Sequence, residues 1–185
     1  MKDQPIISYE INSLNHIISI SGGWSSFYRK NAGKGLAKEN IIGQSILKFF
    51  DSQTGDLYKI IFEKIRETNR DHSISIRCDS PNTKRYINLE MKSLPGKHIL
   101  FSSQITSTEK LKLLTGDFAD LQEIGESIIV CSFCNLIRAN GKFVEIEEAS
   151  KAGVFSRHSR YNRIYTICNP CKDNPLFTIE ENPFR

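Results

Sequence analysis

Ser73-Ile-Ser-Ile-Arg-Cys78, Tyr86-Ile-Asn-Leu-Glu-Met91 and Lys97-His-Ile-Leu-Phe-Ser-Ser-Gln-Ile105 follow one another with short breaks between them. In the first, Ile74, Ile76 and Cys78 fall on one side of an extended chain; in the second, Ile87, Leu89 and Met91 do. Alternation with a period of two marks strands that bury one face. Asp79-Ser-Pro-Asn-Thr83 joins the first two as a hairpin loop, and Pro95-Gly96 turns the chain into the third. Cys78 is expected to be a buried, inert thiol on the Ile74/Ile76 face. Three consecutive antiparallel strands predict a sheet, and a sheet with one apolar face needs helices to cover it.

The covering helix lies just upstream. From Thr54 to Thr68 the residues Leu57, Ile60, Ile61 and Ile65 recur at helical spacing, with Ser52 or Thr54 placed to cap the start. Ile41-Ile-Gly-Gln-Ser-Ile-Leu-Lys-Phe-Phe50 reads as short helical turns packed under the core. Further back, Asn15 to Ser21 reads as a strand with Ile18 and Ile20 on one face, ending at the turn Gly22-Gly23. Trp24 is read as an anchor for this part of the core, with stacking on a ligand as the other reading. Strand, short helices, one long helix and three antiparallel strands make an α+β fold: a curved sheet with helices on one face.

With 185 residues the chain sits at the boundary between one domain and two. Apolar residues make up 39% and charged residues 25%, enough for a core and ordinary for a globular protein. No uninterrupted apolar stretch approaches the ~20 residues that span a bilayer. The start, Met1-Lys-Asp-Gln-Pro5, does not read as a secretory signal. Five cysteines, an odd number, fit a reducing compartment better than a disulfide scaffold. A cytoplasmic location is expected, with no membrane association.

Four of those cysteines form two pairs, Cys131-Ser-Phe-Cys134 and Cys168-Asn-Pro-Cys171, separated by 33 residues. A pair at this spacing lets one tight turn aim two thiolates at one metal ion. Two such turns complete the tetrahedral sulfur shell that Zn²⁺ favours, so a structural zinc at Cys131, Cys134, Cys168 and Cys171 is expected. Four thiolates leave no open position for substrate, which argues against zinc catalysis. The surrounding charge argues against nucleic acid. The first 105 residues carry 15 basic and 10 acidic side chains, whereas the rest carry 10 and 11, despite the local run Arg157, Arg160 and Arg163.

The element order over roughly residues 8–106 resembles the PAS domain, a sensory and interaction module built on a five-stranded antiparallel sheet. More narrowly, Trp24-Ser-Ser-Phe27, Ile42-Gly-Gln-Ser45, Phe49-Phe50, Leu57-Tyr58 and Arg77-Cys-Asp-Ser-Pro81 resemble a set of small bacterial PAS-like proteins. The segment Cys131 to Arg138, Gly141-Lys-Phe-Val-Glu-Ile-Glu147 and Ile167-Cys-Asn-Pro-Cys171 resemble a tail found behind bacterial PAS and receiver domains. That tail usually reads Cys-x-x-Cys-Lys-x-Ile-Arg, Gly-x-Trp and His-Gly-Ile-Cys-Pro-x-Cys. Here Asn135 stands for the Lys, Phe143 for the Trp and Tyr165-Thr166 for the His-Gly, and Asn169-Pro170 shifts the proline by one. The metal-binding cysteines survive these departures; a role for the missing His does not carry over.

The resemblance implies three parts: a PAS-like domain at 8–106, a linker helix at 107–125 and a zinc-binding module at 126–175. Within the linker, Thr108 to Glu123 reads as a helix whose Leu111, Leu114, Phe118 and Leu121 form a stripe. That stripe packs on its own chain's sheet or makes a homodimer seam. Gly116 weakens the helix by about 1 kcal/mol relative to Ala. Neither flavin nor haem is expected as the PAS ligand. Cys78 lacks the flavin-adduct motif, and His16, His72 and His98 lie at or near strand ends rather than in a ligand position. His158 reads as a loop residue, and Arg77, Asp79 and Arg85 read as a network stitching the hairpin. No Ser/His/Asp set or phosphate-binding loop is found, and Gly33-Lys-Gly35 lacks the rest of one. The expected function is a non-catalytic sensing or protein-interaction module, whose tail offers Phe143, Arg157, Arg160 and Arg163 to a protein partner. Two alternatives are a PAS-regulated nucleic-acid-binding zinc protein and a thiol redox or metal-handling protein.

Overall fold

The computed structural model describes residues 6–26, 37–79, 83–111, 124–154 and 160–173. Two compact units emerge. One takes in the chain up to Ile76 together with Tyr86–Ser107, and the other takes in Arg77–Arg85 and the chain from Thr108 through the second cysteine pair.

The first unit is built on a five-stranded antiparallel sheet of PAS-like, α+β character. Its strands are β1 (Ile7–Ile11), β2 (Ile17–Gly22), β3 (His72–Arg77), β4 (Thr83–Leu94) and β5 (His98–Lys110), in the order β2-β1-β5-β4-β3. β1 was not among the strands expected, although Ile7, Tyr9 and Ile11 alternate. It sits between β2 and β5, with Tyr9 opposite both Ile20 and Phe101. The expected inward pair Ile18 and Ile20 is corrected to Ile17 and Ile20. Ile11 pairs with Ile17 and Glu10 with Ser19, so Ile18 is the extra residue of a bulge and turns outward.

α1 (Lys38–Ile41) and a 3-10 turn at Ile46–Phe49 supply the short helical turns under the core, burying Ile41 and Ile46. α2 (Ser52–Thr68) starts two residues earlier than expected. Its cap is Asp51, whose carboxylate accepts from the Thr54 amide at 3.0 Å; neither Ser52 nor Thr54 caps it. At the other end Asn69 adopts the left-handed conformation (φ 51°) that stops the helix. The buried stripe is Tyr58, Ile61, Phe62 and Ile65, while Leu57 and Ile60 are half-buried. Aromatic rings account for the rotation of that stripe. Phe50 stacks on Tyr58 at 4.4 Å, Phe62 meets Phe101 edge-on at 5.6 Å, and Phe101 stacks on Tyr9 at 4.6 Å. The column ties α2 to β1 and β5.

The second unit holds a four-stranded sheet: β6 (Ile124–Cys131), β7 (Ile137–Ala139), β8 (Lys142–Val144) and β9 (Arg160–Thr166), in the order β8-β7-β6-β9. Asn140 (φ 48°) and Gly141 (φ 80°) make the two-residue turn from β7 to β8, the conformation that Asn-Gly favours in a hairpin. α3 (Ile146–Lys151) follows, and β9 then returns parallel to β6, which requires such a crossover. The core is small: Ile128, Val130, Ile137, Ala139 and Ala149, with Val144, Ile146 and Val154 against it.

Two other expectations need correction. Cys78 is exposed. Alternation fails at the end of β3, where Ile74 and Arg77 are the buried residues, because the Arg77 guanidinium turns inward to acidic partners. The linker region also begins and ends in strand: residues 108–110 belong to β5 and residues 124–125 to β6. The rest of the expected helix, residues 112–123, lies outside the described residues, as do Arg157 and His158.

The aromatic column makes a direct prediction. Phe62 is fully buried, so Phe62→Ala should destabilise the first unit by about 3–5 kcal/mol through lost transfer energy and a residual cavity. A urea titration followed by the fluorescence of Trp24 reads this. A change below about 1 kcal/mol would show that the column is not a main support.

Candidate metal centre

Parallel pairing brings the two cysteine pairs together. Cys131 closes β6 directly opposite Thr166, the last residue of β9, and Cys168 stands two residues beyond it. The Ser132 amide donates to the Thr166 carbonyl at 2.9 Å, which locks the start of the first turn to the end of β9. Within that turn the Asn135 amide donates to the Cys131 carbonyl and the Cys131 amide to the Leu136 carbonyl. Asn135 itself takes φ 60°, a left-handed position that asparagine tolerates better than most residues. In the second turn Cys168 precedes α4 (Asn169–Lys172), and the Cys171 amide donates to the Cys168 carbonyl.

The four sulfurs of Cys131, Cys134, Cys168 and Cys171 lie within 4.8 Å of one another. Cys134 Sγ and Cys168 Sγ are 3.6 Å apart. A disulfide needs about 2.05 Å. Sulfurs placed tetrahedrally about an ion at about 2.3 Å are about 3.8 Å apart, so the separation matches a shared metal ion rather than a bond. Cys131 and Cys168 are buried; Cys134 and Cys171 are half-buried.

Electrostatics supports the same conclusion. Hydrogen bonding from the Cys134 thiol, helped by backbone amides, draws Cys131 down to about 4. That bond to Cys131, with burial, drives Cys134 far above the ordinary thiol range, and burial with hydrogen bonding to Cys168 pushes Cys171 up to about 12. One negative charge thus resists the others at this distance. A divalent cation among the sulfurs removes that conflict, and the Cys168 amide already donates to Cys131 Sγ at 3.5 Å. The residues present fit a metal ion.

An ion-pair network that local sequence patterns do not reveal lies in the same unit. Arg77, 5% exposed at its side chain, pairs with Asp79 at 2.7 Å and Glu145 at 2.8 Å. Lys84 reaches Glu145 at 2.7 Å and Glu147 at 3.1 Å. Burial alone would raise the Glu145 carboxyl, but hydrogen bonds from Lys84 and Arg77 outweigh it and hold it below the usual range. The Arg77 amide donates to the Phe133 carbonyl at 2.7 Å, so the hairpin end joins the first cysteine turn. Arg85 closes the hairpin by donating to the Cys78 carbonyl. The expected trio Arg77, Asp79 and Arg85 is therefore only part of the network; Glu145 lies 68 residues from Arg77.

Elsewhere the expected residues separate. His98 pairs with Glu10 at 2.7 Å, and His16 forms a backbone bridge to Ser45. Trp24 is half-buried and stands edge-on to Tyr9. It lines an apolar cavity of about 160 Å³ in the first unit with Ile17, Ile41, Phe49 and Phe50. In the second unit Phe143 is half-buried and Arg163 exposed.

The sequence matches no protein-family model and no curated protein. Among solved structures it is similar to a domain of an HTR-like protein from Haloarcula marismortui, at 10% identity and a TM-score of 0.42, covering 55% of this chain and 98% of that one. It is likewise similar to the PAS domain of the RpfR quorum-sensing receptor of Cronobacter turicensis, in complex with C12:0. There the identity is 11% and the TM-score 0.42, with coverage of 55% of this chain and 94% of that one.

Two measurements check this geometry. In metal-loaded protein a thiol reagent should modify Cys78 quickly and the four clustered cysteines slowly, with all five reacting after chelation and denaturation. Slow labelling of Cys78 would contradict its exposed placement. Glu145→Ala removes charged partners of Arg77 and Lys84 and should cost the second unit about 1.5–3 kcal/mol at neutral pH. Because the carboxyl is held low in the folded state, this contribution is complete above the unfolded value of about 4.3. It fades as pH falls through the lower folded value. Hydrogen exchange of β6 and β9 at two pH values reads both effects.

Proposed function

We propose that this protein is a non-catalytic sensing or interaction module of the cytoplasm, in which a PAS-like unit is joined to a unit organised by one structural Zn²⁺. The convergence of Cys131, Cys134, Cys168 and Cys171 carries the reading. An all-sulfur tetrahedral set suits zinc or iron. Zinc, with no redox chemistry of its own and a closed four-ligand shell, fits a structural role and leaves no position for substrate. The apolar cavity of the first unit supports sensing of a small molecule. At about 160 Å³ it is of the size that admits a benzene-sized guest, well below the ~300–1,000 Å³ of sites for larger ligands such as haem or flavin. Among the described residues no helix is long and apolar enough to cross a membrane.

When bound, the metal supplies cross-linking and charge neutralisation. The chain's own part is to present four deprotonated sulfurs from turns held in place by β6 and β9. Native mass spectrometry of the purified protein should find one zinc per chain, retained against mild chelation. Cys168→Ser should release it and loosen β6 to α4, while β1 to β5 keep their cooperative unfolding. Metal-free protein with disulfides among these cysteines would sink the reading; stoichiometric iron would replace a structural role with a redox one.

A further inference from the structure

At the cysteine cluster the second unit opens a groove of about 610 Å³. Arg138 from β7, Lys142 from β8 and Lys172 from α4 line it, and among the described residues no carboxylate does. All three are exposed, and none forms an ion pair with a described residue. Glu145 and Glu147, the acidic groups that follow β8, are turned to Arg77 and Lys84 instead. Apolar lining comes from Phe143, Leu136 and Ile167, and Cys134, Cys168 and Cys171 of the cluster line the groove as well. Three cations with no ion-pair partner among the described residues, lining one groove with apolar side chains, make a combination that solvent alone does not explain.

We propose that this groove docks an acidic, partly apolar peptide segment of a protein partner, an inference that rests on reading the second unit as an interaction surface. Four thiolates around a divalent metal carry two net negative charges, so the three cations more than offset the centre and leave positive charge facing the groove. A peptide with alternating acidic and apolar side chains answers both features: carboxylates meet Arg138, Lys142 and Lys172, and an apolar side chain covers Phe143 and Leu136. Single-stranded nucleic acid fits less well. It needs stacking platforms and a broadly positive surface. Here, among the described residues, one half-buried aromatic lines the groove, and the chain from Thr106 onward carries 10 basic against 11 acidic side chains.

Fluorescence anisotropy on the full-length, metal-loaded protein tests this with a labelled short peptide of alternating glutamate and leucine. Controls are the glutamine-for-glutamate peptide and a short oligothymidylate. Saturable binding is expected for the glutamate peptide, weakening with added salt. The doubly substituted K142Q/K172Q protein should bind it about tenfold less tightly or worse. Arg138→Gln alone, a second variant on a different strand, should weaken it in the same direction. Metal content is measured on every sample, so a lost metal site is told apart from a lost docking site. Absence of saturable binding, equal binding of the glutamine peptide, unchanged affinity in metal-replete variants or preference for oligothymidylate would each overturn the proposal. Zinc retained by a wild-type protein that ignores the peptide would leave the structural-zinc reading standing and reject the acidic partner alone.

Discussion

Four sulfur atoms within 4.8 Å of one another cannot all carry negative charge unless a cation stands among them. That constraint organises the second unit. Parallel pairing of β6 with β9 puts Cys131 beside Thr166 and so delivers both cysteine turns to one point, although 33 residues separate them in the chain. The backbone turns then fix where each sulfur points: Asn135 in a left-handed conformation after the first pair, and α4 at the second. Without the ion, the chain would have to keep four sulfurs in contact with only hydrogen bonds among them, a weak substitute for metal–sulfur bonds.

The two units solve the problem of stability differently. Among the described residues, the largest fully buried side chains of the first unit include Phe62, Phe101, Ile61, Ile65 and Met91; those of the second are Cys131 and Cys168. A small apolar cluster of the size seen around Val130 and Ile137 supplies little folding free energy by burial alone. The Arg77–Glu145–Lys84 network, and a metal ion where the four cysteines hold one, would make up what the small core lacks. Breaking such a network is expensive because it strands a nearly buried guanidinium.

Much of this was legible in the residue order. The spacing of the cysteine pairs announced their convergence, and alternation marked β3, β4 and β5 together with the α+β class. The alternation of Ile7, Tyr9 and Ile11 marks β1 just as clearly, but five residues near an end are easily passed over. The stripe on α2 was read from aliphatic residues alone, so the aromatic face of Tyr58 and Phe62 was missed. Cys78 shows where periodicity stops being a guide. One inward-turning arginine, drawn by a glutamate 68 residues away, changes which side of the strand faces solvent. No local pattern contains that information. The parallel return of β9 is invisible for the same reason, since its partner strand lies beyond a hairpin and a crossover helix. Asn140-Gly141 carries a hairpin signal of its own, but no hairpin is expected there in the reading of the residues.

With a cation among them, the four clustered sulfurs would serve as ligands rather than as free nucleophiles. The account therefore stands or falls on what those four sulfurs bind. X-ray absorption at the zinc edge, on protein purified without added metal, tests this most directly. The account predicts a single shell of four sulfur neighbours at about 2.3 Å. A shell containing oxygen or nitrogen neighbours in place of sulfur, or no metal at the cysteines, would contradict it.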